Sequence, residues 1–423
     1  MNYLDGISKD IPVVTFGEIV SSSQYGLSVA TEEDGDVPIL KMNSISEDGV
    51  HLKGLDKIHC DKTTFENFRL KRGDLLFNRT NSRALVGKTT VAKSDAAVVF
   101  ASYIVRFKIN NKADPFYVSY WFNDARCKYR LQAISTLGVS QSNINPTNLQ
   151  KLLEIPLPPL PAQRKIAEIL GACDDAIDAQ KNLIKQKELR QKGFMQRLLT
   201  GKTRFPEFEG KPWEEISIGE LLSEVKRYVD WDDSERYNLL SLRRRSGGPF
   251  ARDSLLGSEI KTKTLKTVHT NDFLIAKMQV THGALGMVTS DFDGWKVSNS
   301  YICLVPQDPD NFDIRFFNYL SKMPFIWHLA YVSSYGVAIE KMTFVMKDFF
   351  KKRILIPPTK AEGVAIADCL DASSHELDFE KEKLDHLQQQ KKALMQQLLT
   401  GKVRVNVDAA TEDVLAETKL NHE

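Results

Sequence analysis

The sequence predicts an α+β chain: two mixed α/β globules separated by two long antiparallel helices that form a coiled coil, with an internal pseudo-twofold repeat. Three observations predict it. "KGFMQRLLTGK" (Lys192 to Lys202) recurs as "KALMQQLLTGK" (Lys392 to Lys402), and from Lys192 to Phe205 nine of fourteen positions match their counterparts 200 residues on, where unrelated segments would share roughly one. Apolar residues before each copy follow a helical seam. The stretches before the helices correspond more faintly, in short runs bounded by turn residues.

The first long helix is read from Arg164 to Leu199. Ile166, Leu170, Cys173, Ile177, Ile184, Phe194 and Leu198 recur at alternating spacings of three and four, which places them on one seam. Adding 200 gives Ile366, Leu370, Ser373, Leu377, Leu384, Leu394 and Leu398. The remaining seam pairs, Gln180 with Glu380, Lys187 with Leu387 and Gln191 with Lys391, are partly polar, as suits a partly solvated coiled coil in which polar seam residues fix register.

Pro161 opens the first helix, and Thr359 with Glu362 suggests a capping box at the second. Gly201 and Gly401, each after "LLT", suit left-handed C-caps. About 36 residues at 1.5 Å each make a helix ~54 Å long, a spacer's length. In the globules "FGEI" (Phe16 to Ile19) resembles "IGEL" (Ile218 to Leu221), "GDLLFNR" (Gly73 to Arg79) resembles "NDFLIAK" (Asn271 to Lys277), and "SYIV" (Ser102 to Val105) resembles "SYIC" (Ser300 to Cys303).

The chain has 423 residues, 42% hydrophobic and 26% charged, which fits two or three folded domains and excludes disordered or collagen-like classes. No basic start with an apolar run and no long apolar stretch occurs, so a cytoplasmic protein is expected. The five cysteines are scattered, without CxxC pairing, which argues against a disulfide framework and a zinc site. "VGKT" and "TGKT" carry Ser82 and Gln196 where a phosphate loop needs its first glycine, and the eight histidines form no HExxH. No metal and no nucleotide are therefore expected on this chain.

The globules offer polar and basic side chains in turn-rich stretches. "FNRTNSRALVGK" (Phe77 to Lys88) gathers Arg79, Asn81, Ser82, Arg83 and Lys88, and "LKMNS" and "GVSQSNIN" add Lys41, Asn43, Gln141 and Asn143. The second globule supplies Arg243 and Arg244 in "LRRRS", Lys277, Gln279 and His282 in "AKMQVTHG", and Tyr335 in "SSYGVAIEK". Arginine can bridge guanine O6 and N7, asparagine and glutamine can pair with adenine, and lysine and serine suit phosphates. A solvated surface loop is the bland reading of any one stretch alone. Lys277, Gln279 and His282 sit 198 positions after Arg79, Asn81 and Ala84 with different side chains. Frameworks match better than loops, as expected of two differently programmed readers of two different half-sites.

The motifs "IPLPPLPAQRKIAEIL" with "LLTGKTRFPEF", "IPPTKAEGVAIADCL" with "LLTGKVRV", and "GDLLFNRTNS…VGK", in this order and spacing, resemble the specificity subunit of a type I restriction and modification system over nearly the whole chain. The second copy departs at Thr359, Lys360 and Gly363, where the first has Pro159, Leu160 and Gln163, which bears on its helix-start contacts and not on its identity.

The resemblance implies a first target recognition domain at 1–160, a central helical region at 161–203, a second recognition domain at 204–357, a C-terminal helical region at 358–405 and a polar tail at 406–423. It implies a non-catalytic subunit that binds double-stranded DNA, two modification subunits that methylate adenine N6 with S-adenosylmethionine, and two restriction subunits that use ATP and Mg. No cofactor is implied on this chain itself. The duplicated helix would give two identical partners equivalent docking surfaces, and the coiled coil would act as a ruler for domains about 34 to 36 Å apart, one turn of DNA. A coiled-coil scaffold that never touches DNA is one alternative. A stand-alone methyltransferase is another, and Asn145-Pro146-Thr147 and Asp114-Pro115-Phe116 lack the second proline of its Asn/Asp-Pro-Pro-aromatic motif.

Overall fold

The computed structural model describes residues 3–82, 85–137, 141–336 and 342–407. They fall into two compact units, one from the chain up to Asn182 with the stretch from Glu382 to Val407, the other from Leu183 to Lys381. The expected polar tail lies outside the described residues from Asp408 on.

Both units share one frame. In the first, an antiparallel sheet runs in the order Val20–Tyr25, Ile104–Ile109, Leu75–Asn78, Thr89–Val91. In the second the order is Leu222–Val225, Tyr301–Pro306, Phe273–Ala276, Leu285–Met287, again antiparallel. A one-turn helix leads into each sheet, Phe16–Ile19 and Ile218–Leu221. Each is closed by a capping box in which Glu18 accepts from Thr15 N (2.8 Å) and Glu220 from Ser217 N (2.9 Å). Burial of four aromatic rings, Phe16, Phe77, Phe107 and Phe122, meeting edge to face, forms the centre of the first core. Phe273 and Phe317 do the same in the second, at 4.9 Å.

Each unit also has a second sheet, and here they diverge. Val99–Phe100 runs parallel to Val37–Leu40, which pairs with Lys57–Ile58. The second unit keeps the parallel pairing, Arg236–Leu242 with Lys296–Ser298, and flanks it with the eight-residue strand Pro249–Leu256 and with Leu265–Thr267.

The long helices run from Leu160 to Leu198 and from Lys360 to Leu398, 39 residues each and 200 apart. Pro161 is thus the second helical residue and not the first. Gly201 and Gly401 have φ of +66° and +69° and end them in the left-handed region. The helices are antiparallel within each unit: Lys391 pairs with Asp174 in the first, and in the second Gln191 Nε2 donates to Ser374 Oγ (2.9 Å) while Lys187 Nζ reaches Glu376 and Glu380 (2.7 Å each). Ile166, Leu170, Ile177 and Leu398 are buried in the first unit, and Ile184, Leu198, Ile366, Leu370 and Leu377 in the second, whereas Leu384 is half-buried.

Two further expectations need correction. Phe194 is 38% exposed under Arg190, and Met195 packs into the core instead, because a straight helix drifts about 20° per heptad against a strict 3.5 repeat. The capping box at Thr359 is half formed. Glu362 N donates to Thr359 Oγ1 (3.4 Å), but the carboxylate turns inward and accepts from Arg204 and Trp213.

Candidate nucleic-acid interface

A repeated turn launches the strand that carries the central residues of each unit. In the first, Gly73 has φ +84° and the buried Asp74 accepts from Lys71 N (2.9 Å) and from Arg106 Nη1 (3.1 Å). In the second, Asn271 has φ +71° and buried Asp272 accepts from His269 N (2.8 Å) and from Arg227 (2.6 Å). Glycine and asparagine are the residues that tolerate that backbone, and the buried carboxylate with its arginine fixes the strand's start. "GDLLFNR" and "NDFLIAK" are therefore alike because the turn is shared.

From that strand the first unit reaches Arg79. Its Nε donates to Ser102 O (3.3 Å) and its guanidinium lies 5.2 Å from the Tyr25 ring centroid. Thr80–Asn81 then pairs with Ser142–Asn143, which pairs with Thr136–Leu137. This small sheet brings Arg79, Asn81, Ser82, Gln141 and Asn143 together from positions some 60 residues apart in the sequence. Asn81 Oδ1 accepts from Ser82 N (2.8 Å), and Asn143 Oδ1 is buried with no partner among the described residues. Asn43 is exposed on the Lys41–Ser44 loop, which Asn78 Nδ2 ties to the same strand end through Met42 O (3.5 Å). Lys41 is paired with Asp56 at 2.6 Å, Lys88 is half-buried, and Arg83 lies outside the described residues.

The second unit builds a different surface at the same place. The strand end leads into a 3-10 turn, Val280–His282, ended by Gly283 at φ +70°. The turn Arg243–Gly248 folds onto it, with Arg245 and Ser246 in the left-handed region and their N–H groups donating to His282 O (2.8 Å) and Gly283 O (2.7 Å). Arg244 Nε donates to Gln279 Oε1 (2.9 Å), and Arg243 lies 4.7 Å from the Phe250 ring centroid. Arg243, Arg244, Gln279 and His282 thus form one cluster. Lys277 stands beside it, its Nζ 3.4 Å from Asn299 O. Tyr335 belongs to a separate two-stranded hairpin, and its hydroxyl donates to Asp348 (2.9 Å), which raises its pKa.

Sequence reasoning missed the exposed aromatics Tyr25 and Tyr103 beside Arg79, and Met278 beside Lys277, respectively 48%, 45% and 57% exposed. The available signal was the glycine after Tyr25. A Cβ on Gly26 would lie 2.3 Å from Ala101 O, so this glycine marks a close chain crossing next to the site. Glu32, Asp34 and His59 form an exposed acidic group elsewhere in the first unit.

Residues 9–189 match the family model of the type I restriction modification DNA specificity domain. The chain is 27% identical over 438 residues, 94% of its own length and 95% of the relative's, to a putative type I restriction enzyme MjaX specificity subunit of Methanocaldococcus jannaschii. It is 25% identical over 176 residues, 40% of this chain and 38% of the relative, to the type I restriction enzyme EcoKI specificity subunit of Escherichia coli K12. Its fold is similar to the crystal structure of a type I restriction-modification system S subunit from M. genitalium, with TM-score 0.58 and 13% identity over 92% of this chain and 97% of that one. It is also similar to a chain from a structure of type I R-M complex assembly and conformational transition, with TM-score 0.51 and 13% identity over 94% and 99%. Among the described residues no helix is long and apolar enough to cross a membrane.

Proposed function

We propose, from the match of residues 9–189 to the type I restriction modification DNA specificity domain and the similarity to type I specificity subunits over most of the chain, that each α/β unit reads one half of an asymmetric, two-part DNA sequence, and that the paired helices set the gap between the halves. The observation that carries this reading is a common frame under unlike surfaces. The antiparallel four-stranded sheet of each unit has the same strand order, yet the strand end at the site presents Arg79 and Asn81 in one unit and Lys277 and Gln279 in the other. Asn43, Arg79, Asn81, Gln141 and Asn143, and Arg243, Arg244 and Gln279, are assigned to base edges; Lys41, Lys88, Lys277 and Ser82 to phosphates. Arg83, His282 and Tyr335 complete the two surfaces.

The partners of this reading are double-stranded DNA, two modification subunits and, in a larger complex, two restriction subunits. A duplicated helix gives two identical subunits equivalent docking faces. The chain itself carries out no reaction and holds no cofactor. S-adenosylmethionine belongs to the modification subunits, and ATP and Mg to the restriction subunits.

Mapping N6-methyladenine in the genome of cells that express this chain with its modification partner tests the reading. One two-part motif of constant gap, absent when the chain's gene is deleted, is the expected result. Methylation that persists unchanged after deletion overturns it. A chain whose binding to random duplexes shows no salt slope would be the scaffold instead.

A further inference from the structure

The divergent second sheet of the second unit bears an open pocket of about 470 Å³. Leu240, Leu255 and Leu265 line its floor, and Arg252, Lys261 and Lys296 bring three cations to its wall against one carboxylate, Glu259. Arg252 is paired with Asp253 at 3.1 Å. Lys261 and Lys296 have no carboxylate within 4 Å among the described residues; Lys296 Nζ donates only to Gly294 O (2.6 Å). Burial strips water from Lys296 and lowers its pKa, so an arriving anion restores what solvent no longer supplies.

The pocket is continuous with the site already described. Tyr301 on its rim bonds Ser241 (2.8 Å), two residues before Arg243. Ser298 and Tyr301 flank the turn whose Ser300 O accepts from Lys277 N (3.0 Å) and whose Asn299 O accepts from Lys277 Nζ. In the first unit a pocket at the end of the Lys57–Ile58 strand is acidic instead, lined by Glu32, Glu33 and Asp56 with Lys57. The cationic wall is built on the second unit's own sheet, which carries a flanking strand, Leu265–Thr267, beside the parallel pair.

We propose that Lys261 and Lys296 hold backbone phosphates of the DNA that flanks the second half-site, which makes the phosphate footprint of the chain unequal between its two units. The assignment rests on the proposed DNA-reading function. It predicts an interaction that adds affinity without adding sequence preference.

The test measures binding of the full chain, parent and Lys261→Gln/Lys296→Gln, to a duplex containing the mapped target across about 50 to 200 mM potassium chloride. Removing one lysine that neutralises a phosphate flattens the slope of log K against log salt by about 0.9, so the double variant should lose about 1.8 while its preference among altered half-sites stays the same. A parent that binds with a normal salt slope and a double variant that matches it in slope and affinity would sink this assignment and leave the function intact. A parent without salt-dependent binding would sink the function and the assignment together. Should the double variant melt early, Lys261→Gln alone, whose side chain is exposed, carries the same test with an expected loss of about 0.9.

Discussion

Arg204, just past the end of the first long helix, grips Glu362 at the start of the second with two parallel hydrogen bonds of 2.7 Å. Glu362 is fully buried and also accepts from Trp213 Nε1 at 3.0 Å. Glu362→Ala would leave Arg204 and Trp213 facing a void with unmet donors. Melting of the full chain should fall by roughly 6 °C or more, the size expected when one partner of a buried pair is removed. A melting temperature equal to the parent's would show that the pair does not hold this helix start.

The first unit solves the same problem with a neutral side chain. Gln163 Oε1 accepts from Asp114 N (2.8 Å), and its Nε2 donates to Pro158 O (2.8 Å) and Lys112 O (3.2 Å), fully buried. Three such bonds at about 1 kcal/mol each make Gln163→Ala cost roughly 2–3 kcal/mol. Denaturant unfolding of the full chain measures it, and Gly363→Ala, in the second copy's open counterpart, should cost far less, since a Cβ there meets nothing closer than 3.6 Å.

Acid should loosen the helix pair of the second unit. The hydrogen bond from Lys187, with Arg190 beside it, holds the Glu376 carboxyl below its ordinary 4.5. A depressed carboxyl stabilises the fold above its unfolded pKa and loses that contribution as pH falls through the folded value. Glu376→Gln should therefore melt below the parent at pH 7 and converge with it as pH falls through the depressed folded value. Equal melting at pH 7 would mean that solvent screening cancels the interaction.

Half-site preference should divide between the two clusters. Gln279→Ala also frees Arg244 Nε and is expected to relax or change only the second half of the methylated motif. Arg79→Ala is expected to change only the first half. Each well-formed side chain to base pair is worth about 1–3 kcal/mol of discrimination. Motif mapping with each variant reads the result directly, and a change in both halves from one substitution would contradict separate readers.

One heptad inserted after Gln186, matched by one after Leu377 where Lys187 meets Glu376 and Glu380, should lengthen the gap in the motif. Seven residues add about 10.5 Å of helix, about three base pairs at 3.4 Å each. Both halves should stay the same. A longer insertion product with an unchanged gap would show that something other than helix length sets the spacing.

Much of the frame could be read from the sequence because it is written locally. The 200-residue offset recurs in both helices and in the left-handed Gly201 and Gly401, and the paired one-turn helices Phe16–Ile19 and Ile218–Leu221 repeat at a similar distance along the chain. Periodicity, caps and turn residues depend on neighbours a few positions away, so they survive without knowledge of the fold. The chemistry of the loops was legible for the same reason, as residue types suited to bases and phosphates.

Only the tertiary structure decided which of those residues meet. Arg79 finds Tyr25 and Ser102 because strand register brings them together, Gln279 finds Arg244 because a hairpin turn folds back upon it, and Glu362 leaves its expected cap because Arg204 offers a buried charge partner. Phe194 turns outward and Met195 inward because helical twist accumulates along 39 residues. Composition and spacing are additive along the chain, but pairing between distant segments is set by packing and register, which no short window of sequence contains.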